Sequence, residues 1–134
     1  MAEPLQPAEF LTAEESAAVD RALLATRDKF LTRVALYSLR SLREISKSTG
    51  QAIETITPIQ VEIWIEQDDS LRQEATNPSF RGFFVQLVLS SLKPLGQAAQ
   101  MHGKAIADLS VDEVISWFEQ DAKQRMTANL DVLE

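Results

Sequence analysis

The sequence predicts an all-α fold: two tandem helix–loop–helix hairpins packed as a compact, four-helix-bundle-like domain. Three observations support this. Residues 27–76 align without a gap on residues 80–129, a shift of 53, and periods of this size mark repeated supersecondary units. The densest stretch, GQAIETITPIQVEIWIEQD (50–68) against GKAIADLSVDEVISWFEQD (103–121), carries a glycine stop followed by a helix start in both copies. Between these markers, apolar residues recur at helical spacing.

The first helix is expected to start after Thr12, with Glu15 three residues on completing a capping box. Val19, Leu23, Phe30, Val34, Leu42 and Ile45 continue its apolar face as far as Gly50, which can take the left-handed conformation that ends a helix. The second element is ambiguous alone, because Ile59, Val61, Ile63 and Ile65 alternate like a strand. The repeat resolves it. Its counterpart opens with Ser110 as cap, Glu113 closing the box and Leu109 placed to staple onto Val114. Thr57, Pro58 and Gln60 stand in the same register, and proline suits a first helical position, where its missing N–H costs nothing. Asn77-Pro78 opens the third helix toward Gly103, with Pro94 expected to kink or split it. The fourth helix starts at Val111, and Trp64 and Trp117 are its repeat-related anchors with the second.

The length of 134 residues suits one domain, expected over residues 12–134 behind an acidic tail, residues 1–11. There is no cysteine, which excludes disulfides, thiolate catalysis and zinc-thiolate or iron–sulfur sites. The N-terminus lacks the layout of a secretory signal, and no apolar run is long enough to span a membrane. A cytoplasmic protein is expected. The net charge of −7 argues against bulk nucleic-acid binding. It is uneven, however: residues 21–50 hold seven bases and two acids.

That basic segment supplies the leading candidate site. At the helical step, Lys29, Arg33, Arg40, Arg43 and Lys47 share a sector roughly 80° wide, with Leu36 inside it. An exposed leucine among arginines resembles the centre of a protein-contact patch. The second copy has lost the face: its equivalents are Gly82, Gln86, Lys93, Gly96 and Gln100. The competing reading is a solvated helix face that pairs with acids of the second and fourth helices.

Other candidates weigh less. The repeated Glu66/Asp68 and Glu119/Asp121 could converge as a metal or acid/base site, yet a carboxylate di-metal bundle also draws on Glu-x-x-His, and this chain has one histidine. That histidine, His102, precedes Gly103 and suits a helix C-terminus. No serine sits in a Gly-x-Ser-x-Gly turn, no EF-hand loop occurs, and the last junction is too long for a helix-turn-helix. The segment around Phe80, Phe83, Phe84 and Leu87 is apolar almost all round, which suits a core helix or a homodimer face.

The resulting expectation is a non-enzymatic interaction or regulatory module with no cofactor. It would bind an acidic protein partner through the basic face of the first helix, and could form a homodimer through the third. Two alternatives are a metal- or small-ligand-binding enzyme or sensor with its site between the hairpins, and a nucleic-acid-binding regulator using the first helix.

Overall fold

The computed structural model describes residues 11–22, 24–68 and 77–133, with side chains as far as 127. The predicted tail up to residue 10, Leu23, and residues 69–76 of the first repeat lie outside the described residues. The described residues are all-helical. They form α1 (Ala13–Arg21), α2 (Thr26–Thr49), α3 (Pro58–Gln67), α4 (Pro78–Ser90), α5 (Leu92–His102) and α6 (Val111–Leu133). Short 3-10 turns, Ile53–Thr55 and Ile106–Asp108, precede α3 and α6.

Local chemistry explains four helix starts and two helix ends. Thr12 accepts from the Glu15 N–H at 3.1 Å and Glu15 accepts from the Thr12 N–H at 2.9 Å, a closed capping box. Thr57 with Gln60, and Ser110 with Glu113, close the same box at α3 and α6. Asn77 Oδ1 accepts from the N–H groups of Ser79 and Phe80, ahead of Pro78. Gly50 and Gly103 end α2 and α5 at φ of 72° and 65°, where a Cβ would be strained. Helix, left-handed glycine, 3-10 turn and capping box thus follow in the same order twice, 53 residues apart. The second pass differs at its end, since α3 stops at Gln67 while α6 runs on to Leu133.

α3 is helical despite its alternating sequence. Val61 and Ile65, four apart, enter the core, and Ile59 and Ile63 lie on the outer face, 69% and 49% exposed. In a helix, i and i+4 share a side, so the two pairs separate cleanly.

One expectation is corrected, and the expected split of the third helix falls three residues earlier than Pro94. The long first helix is broken: Ala22 and Ala25 are extended, and α1 folds back along α2. No glycine or proline marks the break. It is made by burial, since Val19 and Ala18 pack into the core, and by ion pairs between the two helices. The third helix divides into α4 and α5 at Ser91, three residues before Pro94. Pro94 therefore stands in the first turn of α5, where an N–H has no intrahelical partner to lose.

α2 is the central element. It packs against α1, α3, α4, α5 and α6, and every residue from Val34 to Leu39 is buried. Its small polar residues survive this because they satisfy themselves: Ser38 Oγ donates to the Val34 carbonyl at 2.7 Å, and Thr32 Oγ1 to the Asp28 carbonyl at 2.7 Å. Trp64 and Trp117 pack partly buried on the same core, while Leu95, Leu109, Val114 and Ile65 fill it. α4 is one-sided rather than buried all round. Phe84, Val85 and Val88 face the core, but Phe83 is 61% exposed.

Candidate functional site

The basic sector of α2 is engaged within the molecule. Arg33 Nη2 lies 2.9 Å from Asp20 Oδ1, and Arg40 Nη2 lies 3.4 Å from Glu15 Oε1. Lys29 Nζ donates to the Asp20 carbonyl at 3.1 Å. Because Glu15 meets Arg40 while Asp20 meets Arg33, α1 runs antiparallel to α2. Farther along, Arg43 Nε donates to the Ala107 carbonyl at 2.7 Å and its Nη2 to the Leu109 carbonyl, which ties α2 to the turn before α6. Lys47, 3.8 Å from Glu44, is the most exposed of the set. Leu36 is 1% exposed and so cannot be the open contact expected of it. α1 lies along the Arg33 and Arg40 side of α2, the side on which Leu36 stands.

The repeated acids do not come together; each takes a partner of its own. Glu66 lies 3.4 Å from Arg81, Asp68 Oδ2 accepts a hydrogen bond from the Tyr37 hydroxyl at 2.5 Å, and Asp121 accepts from Arg125 Nε at 3.0 Å. Among the described residues, no three His, Asp or Glu side chains are grouped to hold a metal ion. His102 ends α5 with Nδ1 3.6 Å from Glu113 Oε2. Lys104 Nζ, 2.9 Å from Glu113, and the Ser110 N–H hold that carboxyl down to about 2.

A different surface does bring unengaged charge together. The starts of α2 and α5 and the middle of α6 enclose an open cleft of about 450 Å³, lined in part by Arg27, Leu31, Lys93, Pro94 and Trp117. Beside it, α6 and the α1–α2 turn form a second hollow of about 680 Å³, where Ala25, Lys123 and Met126 meet. Asp28 and Arg125 line both, so the two abut across this ion pair. Arg125 Nη2 reaches Asp28 Oδ1 at 2.8 Å while its Nε holds Asp121. These bonds, Asp28 foremost, raise the guanidinium pKa further. Among the described cations, Arg21, Arg27, Lys93 and Lys123 make neither a hydrogen bond nor an ion pair through their side chains. The last three border the two hollows.

With this geometry in view, the comparison with known families is decisive on one point. The model of a family described as NDH complex assembly factor CRR9 matches residues 11–125. The chain belongs to that family. No curated protein and no solved structure matches it. The span matched to the family runs from the residue before the Thr12 cap to Arg125, and so takes in α1 to α5, both 3-10 turns, and every residue named in the first cleft.

Sequence reasoning missed the trough for a physical reason. Arg27, Lys93 and Lys123 stand on three helices, and no spacing along one chain segment links them. The one available hint was Lys93, the only position of the α2 basic stripe still basic in the second copy. Of the five bases on one helix face, the notable sequence signal, Lys29, Arg33, Arg40 and Arg43 hold α1 and the 106–109 turn, while Lys47 pairs with Glu44 on α2 itself. No helix among the described residues is long and apolar enough to cross a membrane.

Proposed function

We propose that the protein is a non-enzymatic assembly factor for an NDH complex, acting by binding a protein partner that presents an acidic surface. The observation that carries this reading is the family match over residues 11–125. The unengaged cations support it: on a chain of net charge −7, Arg27, Lys93 and Lys123 project beside exposed apolar side chains. Charge of this kind speeds encounter and sets register, while apolar area supplies most of the affinity. In this reading the α2 stripe of Lys29, Arg33, Arg40, Arg43 and Lys47 serves chiefly as a seat for the protein's own segments.

The test is a strain lacking the protein. The assembled NDH complex should fall in amount, while the complex that does form keeps its normal turnover per molecule. Unchanged abundance would reject the assembly role. Lowered turnover at normal abundance would point instead to a part in the reaction.

A second reading, self-association through α4, is favoured by one residue: Phe83 is 61% exposed on the solvent side of that helix. Phe83→Glu should turn a dimer into a monomer in sedimentation equilibrium. A wild-type protein already monomeric at high concentration removes this reading.

A further inference from the structure

We infer that the trough formed by the two hollows along α6 is the docking site for an acidic, amphipathic segment of the protein partner. This rests on the assembly-factor reading above and specifies its surface. Three features select that occupant. Each hollow presents apolar side chains open to solvent: Leu31, 37% exposed, with half-buried Trp117 in the first, and Met126, 66% exposed, in the second. Methionine and tryptophan suit a contact surface, the one adaptable and the other large and amphipathic. The rim is positive at the first hollow. Arg27 and Lys93 flank the first hollow and Lys123 the second, none of them engaged elsewhere. Against these cations stand Asp28 and Asp121, which share the single charge of Arg125, and Glu119 at the second hollow, so the small positive excess that remains lies at the first hollow, beside Arg27 and Lys93.

Shape selects the class of ligand. Two hollows abutting at the Asp28–Arg125 pair make an elongated surface rather than one closed cavity. A compact metabolite would be enclosed in one pocket and leave the other half unused. A chain segment with carboxylates on one side and bulky apolar residues on the other satisfies both halves at once, as in helix-in-groove recognition. The Asp28–Arg125–Asp121 triad crosses the trough as a fixed polar landmark, against which the segment's register is set.

The experiment replaces Leu31 with a photo-crosslinking residue in the full-length protein, expressed in the strain lacking the endogenous copy. Glu54, exposed in the 3-10 turn before α3, carries the same probe as control. The Leu31 probe should capture a protein segment in which Asp or Glu lies within a few residues of Leu, Phe or Met, with no such product from the Glu54 position. Arg27→Glu/Lys93→Glu should reduce that product roughly tenfold or more, with an unchanged melting temperature because neither cation has a partner to lose. A segment without carboxylates, a nucleic acid, a second copy of this chain, or yield no greater than from Glu54 overturns the inference.

Complementation separates this inference from the reading beneath it. If the null strain loses NDH complex and the Arg27→Glu/Lys93→Glu protein restores it fully, the trough is rejected and the assembly role stands. If the null strain assembles the complex normally, the assembly role itself falls. Failure of the variant to restore the complex, with wild-type stability, is the expected result.

Discussion

Arg125 Nη2 lies 2.8 Å from Asp28 Oδ1, joining the second half of α6 to the first turn of α2 across 97 residues of sequence. Asp28 is the better buried partner, its side chain 12% exposed against 52% for Arg125. It also stands in the first turn of a helix, where a carboxylate is favoured by the unpaired N–H groups. Removing the arginine would leave that carboxylate enclosed without its cation. Arg125→Ala is therefore expected to cost about 1–2 kcal/mol, less than a fully buried pair would because Arg125 is half-exposed. Urea unfolding at neutral pH measures this, and Asp28→Asn in the Arg125→Ala background should recover part of the loss.

The α1 strap should respond to charge reversal on α2. Arg33→Glu/Arg40→Glu places like charges against Asp20 and Glu15. The expected cost is roughly 1–2 kcal/mol, concentrated in one place. Amide exchange over residues 13–21 should quicken well before that of α5 or α6. Uniform acceleration through the whole chain would show instead that α1 opens only with global unfolding.

Tyr37 is the chain's single tyrosine and is fully buried. Burial first, and its bond to Asp68 second, push the phenol far above its ordinary 10.0. A folded-state pKa raised above the unfolded one contributes stability that is complete below pH 10 and is lost as pH rises beyond it. The ultraviolet tyrosinate band should thus stay absent in folded protein at pH 10.0 and appear only with unfolding. An ordinary titration of the native protein would contradict the buried Tyr37–Asp68 contact. Tyr37→Phe should cost about 1–2 kcal/mol through the lost hydrogen bond.

Glu113 predicts the acid side. Lys104 and the Ser110 N–H hold its carboxyl down to about 2, from an ordinary 4.5. A depressed carboxylate contributes stability present above pH 4.5 and lost as pH falls toward 2. Glu113→Gln keeps a capping-box acceptor but has no proton to take up. Its stability should fall less steeply than wild type over this interval, as followed by helical circular dichroism. Identical acid profiles would remove Glu113 from the account.

The left-handed glycines supply a local test. Gly103→Ala puts a Cβ at φ 65° with no neighbour within 4 Å, so strain rather than collision sets the cost. About 1 kcal/mol is expected, measured by thermal unfolding, and Gly50→Ala at φ 72° should behave alike.

Much of the local structure was legible because its causes are local. Thr12, Thr57, Ser110 and Asn77 cap from side chains two or three residues away, and Gly50 and Gly103 end helices through their own backbone freedom. The helical reading of α3 needed only its counterpart 53 residues later. The break at Ala22–Ala25 was not legible, since alanine continues a helix as readily as any residue. What turns the chain there is the burial of Val19 and the two ion pairs with α2, contacts formed only once α1 has folded back.

By itself, then, the sequence determined the helical class, the starts of α1, α3, α4 and α6, the glycine stops of α2 and α5, the absence of cysteine chemistry, and the position of five cations on one face of α2. Tertiary structure decided what those cations do. Enclosing α2 buries Leu36 and turns Arg33, Arg40 and Arg43 inward onto α1 and the 106–109 turn. It also carries Arg27, Lys93 and Lys123, from three separate helices, to the margins of one trough. Helix periodicity is a property of neighbours along the chain, whereas engagement of a charge depends on which distant segment is packed against it.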